Sequence, residues 1–449
     1  MKTGFIVVFL ACVLLTPVGN GSSLAEAQTS QQSTPDVFVG IDVAYGNISE
    51  IKSLIDEVSA YTNLLVIGCT GVTYNQTLLN EICQQLHEKN MSFIVYRDWL
   101  RRNSTEWFPI WVENAKTLWG DKFLGFYYSD ELGGKQLDRH EHLTVTNAVD
   151  AHDAAEQFTE VVGSQLRRFN LTHNSSTPIP LFTSDYALYW FDYKAGYDAV
   201  FAEFGWNYSR QLNVALCRGA ANLQGKEWGV MITWTYTNPP YIESGEKLYE
   251  DMVLAYENGA KYIVIFDTNE EYTAGILKEE HLQAIKQFWQ YTQEKPRNNT
   301  INDRIALALP KDYAYGFRGP NDKIWGLWEA NQFSLELSVH IDYLLKQYGT
   351  KLDIIYEDGL QGCSSYGYSK IIYWSELGLP LYPYPSSTTS QEADVTPSPT
   401  QTQQPTASST QVATTVASLG KYGALMATTV VVGVTTLALA FFRRKTRKR

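Results

Sequence analysis

Cysteine is scarce in this chain: only 5 of its 449 residues are Cys, and one of these, Cys12, lies in the apolar N-terminal segment. The other four are Cys69, Cys83, Cys217 and Cys363. No close spacing joins them in the way that a zinc or iron–sulfur site requires. In an exported chain an even number permits disulfide bonds, with Cys69 and Cys83 as the nearest pair. Buried free thiols explain the same residues equally well.

Several motifs that mark particular enzyme classes are also missing. The chain has no Gly-x-Ser-x-Gly nucleophile elbow, no Walker loop and no glycine-rich dinucleotide turn. One cluster of His and Asp occurs at Asp138, His140, His142, His152 and Asp153. Its spacing is irregular and lacks the His-Glu-x-x-His pattern, so a solvated loop that leads into a helix is the favoured interpretation. We therefore expect neither a metal nor another cofactor.

Long apolar runs lie near the two ends. Residues 1–27 combine Lys2, a short apolar core and a small-residue region, which predicts a cleaved secretory signal. Residues 386–418 are rich in Ser, Thr and Pro, as is typical of an extended stalk. Residues 423–442 form an uncharged run of the ~20 residues that cross a bilayer, and basic residues fill 443–449. Because basic flanks stay cytoplasmic, the sequence predicts a single-pass cell-membrane protein with its N-terminal ectodomain outside.

Acidic residues outnumber basic ones, 48 to 36, giving a net charge of −12. The C-terminal basic tail is included in that total, so the ectodomain is more acidic than the whole chain. Negative charge repels nucleic acid phosphates, and we expect no nucleic acid partner.

Eight Asn-x-Ser/Thr sequons lie between the predicted signal segment and the stalk. In an exported chain they predict N-glycosylation and surface loops. The acceptor residues are Asn47, Asn75, Asn90, Asn103, Asn170, Asn174, Asn207 and Asn298.

Strand-like runs alternate with helix-like segments between residues 36 and 295. The runs are apolar, β-branched or aromatic along nearly their whole length, which indicates burial on both faces of a parallel sheet. They occupy residues 37–42, 64–68, 92–96, 123–129, 179–183, 199–204, 229–234 and 262–267. Eight units in roughly 250 residues predict a (β/α)8 TIM barrel. A doubly wound sheet is the alternative, although it is usually shorter and often carries a phosphate turn.

A smaller α/β accessory domain is predicted over residues 300–385. Its strands are expected at 304–309, 323–328, 351–357 and 370–374, with a helix at 333–348. A unit of this size is expected to pack on the barrel or to mediate assembly.

Acidic and aromatic residues crowd the predicted C-terminal ends of the barrel strands, where barrels place their chemistry. The carboxylates are Asp42, Asp98, Asp130, Glu131, Asp185, Glu203 and Asp267, and the candidate aromatic ligand contacts are Tyr45, Trp99, Tyr128, Trp206, Trp234 and Tyr236. Carboxylates also cap helices that follow strands, and for Asp42 and Asp185 that role alone would suffice. Because aromatic faces stack on sugar rings and carboxylates accept hydroxyl hydrogen bonds, the combination favours a carbohydrate site.

The chain resembles (β/α)8 glycoside hydrolases over residues 36–385. The resemblance is carried by the stretch YYSDE at 127–131, where many such families place a fourth-strand acid, and by GLWE at 326–329 in the accessory domain. It is a resemblance of architecture, with no specific family identified. In the largest glycosidase clan a second Glu follows strand seven, but here strand seven ends in Trp-Thr-Tyr, and Glu243 lies further along the loop. Other barrel glycosidases, acting on α-galactosides and α-glucosides, pair acids after strands four and six.

The strand-four and strand-six pattern makes Glu131 or Asp130 one candidate catalytic group and Glu203 the other. Adjacent strand residues point to opposite sides, so only one of Asp130 and Glu131 is expected to face the pocket. The resemblance implies a membrane-anchored extracellular hydrolase that cleaves glycosidic bonds with two carboxyl groups. The alternative is a non-catalytic carbohydrate-binding or structural protein of the cell envelope, with envelope components as neighbours.

Overall fold

The structure is a computed structural model, and it describes residues 35–98, 106–138, 144–171, 178–297, 303–360 and 367–380. Within these ranges no helix has the length and apolarity that a bilayer crossing needs. The predicted signal peptide, stalk, transmembrane helix and cytoplasmic tail lie outside the described residues, as do Trp99 and Cys363. All described residues belong to one compact unit.

Eight parallel strands close into a barrel, each paired with its neighbours in sequence and the eighth with the first. The strands are β1 (Phe38–Val43), β2 (Leu64–Ile67), β3 (Ser92–Arg97), β4 (Phe123–Tyr128), β5 (Leu181–Asp185), β6 (Ala199–Phe204), β7 (Glu227–Ile232) and β8 (Tyr262–Phe266). The predicted (β/α)8 barrel is confirmed, and the doubly wound alternative is excluded because the sheet has no open edge.

Two apolar layers explain why the strands are apolar on both faces. Alternate residues such as Phe38, Phe201 and Tyr262 form a cluster inside the barrel. Their strand neighbours, such as Val39 and Val200, pack outward under the helices. Since successive side chains point to opposite faces, membership of the inner cluster fixes the direction of every other residue on the same strand.

Ten helices of the barrel are described. They are α1 (Ile48–Val58), α2 (Thr70–Thr73), α3 (Gln76–Glu88), α4 (Phe108–Trp119), α5 (Leu132–Asp138), α6 (Ala151–Leu171), α7 (Tyr189–Ala195), α8 (Arg210–Leu223), α9 (Gly245–Glu257) and α10 (Glu279–Glu294). In α1 the buried residues Ile51, Leu54, Ile55 and Val58 recur at helical spacing, which presents one apolar face to the sheet.

A second sheet follows the barrel and is here called the appendage (residues 303–380). Its strands β9 (Arg304–Leu309), β10 (Leu352–Tyr356) and β11 (Tyr368–Tyr373) are parallel in the order β10-β9-β11, beside helix α11 (Gln332–Tyr348). The strand predicted at 323–328 is wrong. Trp325 and Gly326 have φ of +56° and +68°, and this left-handed turn reverses the chain there, leaving one bridge between Ile324 and Trp328.

The appendage packs directly on α8. Gly219 lies so close to β10 that a Cβ would sit 2.5 Å from the carbonyl oxygen of Ile354, so only glycine fits. Beside it Arg218 donates from Nε to Asp353 Oδ1 at 2.7 Å, and both side chains are fully buried. Removing one partner of a buried ion pair strongly destabilises the folded protein, so this pair joins barrel and appendage firmly.

The described cysteines are thiols. Cys69, Cys83 and Cys217 are free and buried, which within the described chain favours the thiol interpretation over a Cys69–Cys83 disulfide. Burial raises the pKa of the Cys83 thiol, so it is protonated and unreactive at neutral pH.

Five of the eight sequon asparagines fall in the described ranges. Asn47, Asn75, Asn90 and Asn207 are exposed, whereas Asn170 is half-buried inside α6 instead of lying in a loop. The other three, Asn103, Asn174 and Asn298, lie outside the described residues.

Candidate active site

Two carboxyl groups point into the barrel, one from β6 and one from β1. On β6, Phe201 belongs to the inner cluster, and Glu203 two residues later therefore faces inward. On β1, Phe38 is an inner residue, and four residues on Asp42 has the same direction. Both lie at the C-terminal ends of their strands, where a barrel opens.

Glu203 sits at the end of a buried hydrogen-bond chain. The hydroxyl of Tyr127 donates to Ser184 Oγ at 2.6 Å, and Ser184 Oγ donates to Glu203 Oε1 at 2.6 Å. Burial raises the pKa of Glu203 well above its ordinary value, and the carboxylate of Glu131 adds to the effect, although the Ser184 hydrogen bond lowers it. Burial therefore favours the neutral, proton-carrying form of Glu203.

Asp42 is the second buried acid of the barrel interior. Its Oδ1 atom has no hydrogen-bond partner among the described residues. Burial raises its pKa to about 8, and the nearby charge of Asp130 contributes. A buried carboxyl group without a partner favours its neutral form, so Asp42 also carries a proton at neutral pH.

Asp130 and Glu131 occupy a different environment at the end of β4. Ser129 and Glu131 have φ of +60° and +53°, so the regular strand alternation stops there. Both carboxylates bind the ammonium of Lys135, at 3.2 Å from Asp130 Oδ2 and 3.0 Å from Glu131 Oε2. The prediction that alternation would send them to opposite sides is wrong, because the left-handed backbone turns both toward one cation.

The two carboxylates strengthen the positive charge of Lys135. Burial by itself lowers the pKa of Lys135, but Asp130 and Glu131 more than compensate, and the net shift is upward. A positive charge within ion-pair distance favours the ionised form of a carboxyl group. The mouth thus contains a buried carboxyl group on β6 whose neutral form is favoured, and two carboxyl groups after β4 that share the ammonium of Lys135.

Asp185 and Asp267 hold backbone and face away from the barrel axis. Asp185 accepts from the amides of Gly133, Gly134, Tyr186 and Ala187 at 2.6–2.9 Å. Burial raises its pKa to about 7 in spite of these bonds. The capping role considered for Asp185 is what the structure gives it.

Asp267 has the same function in the loop after β8. Its Oδ1 accepts from the amides of Ile276 and Leu277 at 2.5 and 2.9 Å, and the hydroxyl of Tyr45 donates to Oδ2 at 3.4 Å. Tyr45 is itself buried. Asp267 and Tyr45 were predicted to bind substrate, but these hydrogen bonds stabilise the loop after β8.

The remaining predicted residues divide between core and surface. Tyr128 points outward from β4 and packs on Phe169 of α6, with ring centroids 4.3 Å apart, so it does not line the mouth. Asp98 is half-buried where β3 ends. Trp206 and Trp234 are half-buried beside each other, and Tyr236 is exposed on the loop after β7.

Glu243, the acid further along the loop after strand seven, forms contacts outside the barrel interior. Glu243 Oε2 lies 3.5 Å from Arg210 Nη2, and its backbone carbonyl contacts His281. The His and Asp cluster also has local roles: His152 binds Asp312 and Glu156, and Asp153 accepts from the amide of Val149. No group of three metal-ligating side chains occurs in the described part of the chain.

Three residues of the mouth were not predicted from the sequence. Lys135 lies four residues after Glu131, a helical spacing that could have been noticed. Ser184 has the inward direction of Phe182 on β5. Tyr272, from the loop after β8, has its pKa raised by burial and by Asp130 and Glu131, which places it near them.

Comparison with known proteins gives fold-level similarity only. No family model and no curated protein matches this chain. Similar solved structures include a GH99 endo-α-mannosidase from Bacteroides thetaiotaomicron (11% identity, 58% of this chain and 97% of that one, TM-score 0.39). They also include a β-mannanase from the blue mussel Mytilus edulis (8%, 58% and 92%, 0.34) and a type I 3-dehydroquinate dehydratase from Clostridium difficile (8%, 57% and 93%, 0.30).

Identities and TM-scores this low carry no argument about activity, and the last of the three is not named as a glycosidase. What the structure establishes is the fold, a closed (β/α)8 barrel.

Proposed function

We propose that this protein is a glycoside hydrolase that uses Glu203 as its acid and Glu131 or Asp130 as its ionised carboxylate. One observation carries the proposal: two carboxyl environments of opposite kind meet in one barrel mouth. Glu203 is buried and 5% exposed, whereas Asp130 and Glu131 are 39% and 31% exposed and share an ammonium. Glycosidic cleavage requires one protonated and one ionised carboxyl group.

The reaction follows from these states. Glu203 donates its proton to the glycosidic oxygen as the bond from that oxygen to the anomeric carbon breaks. In a retaining course the β4-end carboxylate bonds to the anomeric carbon, and water, deprotonated by Glu203, later displaces it. In an inverting course the carboxylate instead takes a proton from the attacking water. Ser184 and Tyr127 hold the Glu203 carboxyl group in place.

The substrate we propose is a neutral saccharide. The two carboxylates Asp130 and Glu131 outnumber the one ammonium of Lys135 that they share, and a cleft with net negative charge disfavours uronic or sulfated sugars. Exposed tyrosines on the surrounding loops, Tyr236 and Tyr272, offer rings on which a sugar can stack.

We further propose that the barrel works at the outer face of a cell membrane. Support comes from the sequence: the signal at 1–27, the stalk at 386–418 and the uncharged run at 423–442 followed by basic residues.

The test is hydrolysis of aryl glycosides and polysaccharides by the purified full-length chain, beside single variants. We expect Glu203→Gln to abolish turnover, together with either Glu131→Gln or Asp130→Asn. Glu243→Gln is the matched control, since Glu243 is also an acid near the mouth but is paired with Arg210, and it should retain activity. Activity that survives Glu203→Gln would refute the mechanism.

The second candidate is a non-catalytic barrel, which either binds carbohydrate or has a structural role in the cell envelope without binding a ligand. It is favoured by the strand-seven end, Thr233 to Thr235, which carries no carboxylate, and by the low exposure of Glu203. No turnover on any substrate, with glycan binding that survives Glu203→Gln, Glu131→Gln and Asp130→Asn, would establish it.

A further inference from the structure

The short helix α5 carries the lysine on which the candidate site depends. It begins directly after Glu131, contains Lys135 and has seven residues. A helix this short is not stable by itself in water, so its position is set by tertiary contacts. At its start, Asp185 accepts from the amides of Gly133 and Gly134.

The end of α5 is held by a residue of the appendage. Arg318 donates from Nη1 to Asp138 Oδ2 at 2.9 Å and from Nη2 to Asp138 Oδ1 at 2.8 Å. The same guanidinium donates to Asp322, from Nε at 3.2 Å and from Nη2 at 3.1 Å. The Arg318 side chain is only 6% exposed. A buried guanidinium that forks onto two carboxylates is fixed in both distance and orientation.

Arg318 also reaches the middle of α5 through Tyr186. Its guanidinium carbon lies 5.2 Å from the centroid of the Tyr186 ring, within the range of a cation–π contact. The ring in turn packs on Gly134, where a Cβ would come within 2.2 Å of it. Contact therefore runs from Arg318 through Tyr186 to the residue before Lys135.

A second connection holds the helix at Gln136. Gln136 donates to the carbonyl oxygens of Val145 and Trp325, each at 2.9 Å. At Gly326 a Cβ would lie 1.9 Å from the Gln136 carbonyl oxygen. The appendage loop between β9 and α11 thus encloses α5.

We propose that Arg318 is a positioning residue that fixes α5, so that Lys135 holds Asp130 and Glu131 at the barrel mouth. This inference rests on the proposed function for its catalytic consequence. It assigns the appendage a direct part in the site. The barrel supplies the acids, and the appendage supplies the Arg318–Asp138 contact, here called the clamp, which orients two of them.

The experiment compares Arg318→Met, Asp138→Asn and the double variant in the full-length chain. Asp198→Asn is the matched control, because Asp198 is a similarly exposed aspartate (47% against 43%) whose ion pair with Lys226 lies at the opposite end of the barrel. The readouts are hydrogen exchange of peptide 129–138, and kcat and KM separately for hydrolysis.

We expect exchange in peptide 129–138 to accelerate at least about ten-fold in both clamp variants and to be unchanged in Asp198→Asn. We expect kcat to fall by up to about a hundred-fold, since a displacement of about 1 Å at reacting groups can have that effect. The double variant should show no faster exchange and no lower kcat than the more affected single variant, because both single changes remove the same Arg318–Asp138 contact. If Arg318→Met does not fold, Asp138→Asn tests the same contact from the more exposed side.

Exchange in 129–138 that matches the control in both variants would overturn the proposal, as would clamp and control variants with equal kcat. If the wild-type chain hydrolyses no glycoside while exchange responds as expected, the clamp stands and the proposed function fails.

Discussion

The carboxylates on the barrel axis and those on the outer ring of the mouth have the same residue types and strand-end positions, yet their environments are opposite. Asp42 and Glu203 point inward, and one oxygen of Asp42 has no partner among the described residues. Asp185 and Asp267 point outward and accept two to four backbone amides each. Strand parity separates the two groups, because a change of one residue moves a side chain to the other face.

The number of hydrogen-bond donors around an acid separates the acids that support a loop from the acids that are left with few partners. An acid with a full set of donors is committed to its loop, since removing it leaves those donors unpaired. An acid with few donors is free to exchange protons or to meet a ligand. Replacing Asp by Asn at four positions tests this directly.

The largest effect is expected at Asp353, a fully buried acid whose partner is a fully buried guanidinium. It binds Arg218 Nε at 2.7 Å and accepts from the Tyr368 hydroxyl at 2.9 Å. Asp353→Asn leaves the buried guanidinium uncompensated and should lower the free energy of unfolding by about 3–5 kcal/mol, as measured by urea denaturation. Asp342→Asn, at an exposed position of α11, is the control and should change it by less than about 0.5 kcal/mol.

Asp185→Asn should come second, with a loss of about 2 kcal/mol. The amide oxygen can keep the bonds to Gly134, Tyr186 and Ala187, but its NH2 group must then face the amide of Gly133. The NH2 group of asparagine and the N–H of Gly133 are both donors, so a hydrogen bond is replaced by a repulsive contact. Chemical denaturation measures the loss; an unchanged midpoint would contradict the assignment of Asp185 as a structural cap.

Asp42→Asn should stabilise the protein, in a pH-dependent way. The pKa of Asp42 is about 8 in the folded chain against an ordinary value of 3.8, so between these values the folded chain keeps a proton that the unfolded chain loses. Wild-type stability therefore falls as pH rises from about 4 to about 8, and asparagine removes that loss. The advantage should be near zero at pH 4 and grow by about 1.4 kcal/mol for each pH unit above it, reaching about 2 kcal/mol at about pH 5.5. Thermal unfolding at several pH values measures it, and a constant difference would refute it.

The smallest effect on stability is expected for Asp130→Asn. Asp130 is partly exposed and Glu131 remains on Lys135, so the change should be within about 0.5 kcal/mol. Thermal unfolding beside the hydrolysis assay separates stability from catalysis. A large loss of stability would mean that Asp130 belongs with the structural acids.

Much of the fold could be predicted from the sequence, because apolar runs buried on both faces are a local signal. The eight strands were placed correctly within a few residues. The prediction failed at 323–328, where apolar residues favoured a strand and a left-handed turn at Trp325 prevails. Apolar composition reports burial, and backbone direction there depends on the close approach of Gly326 to α5.

The candidate site was predicted less completely. Besides burial, the predicted acids Glu131 and Asp130 raise the pKa of Glu203, the third predicted catalytic residue. Tyr45 and Tyr128 were assigned to the same surface but are buried elsewhere. Runs that are apolar on both faces do not reveal which face is inside, so the sequence could not sort the strand-end residues by direction.

The sequence by itself determined the strand count and the acids at the strand ends, because each depends on residues close together along the chain. Only the tertiary structure decided which of those acids face the axis with few hydrogen-bond donors and which support loops, since strand direction and packing set their surroundings. It also decided that Arg318, nearly 190 residues from Glu131, belongs beside the site. Contacts between residues so distant along the chain arise from packing and leave no local pattern.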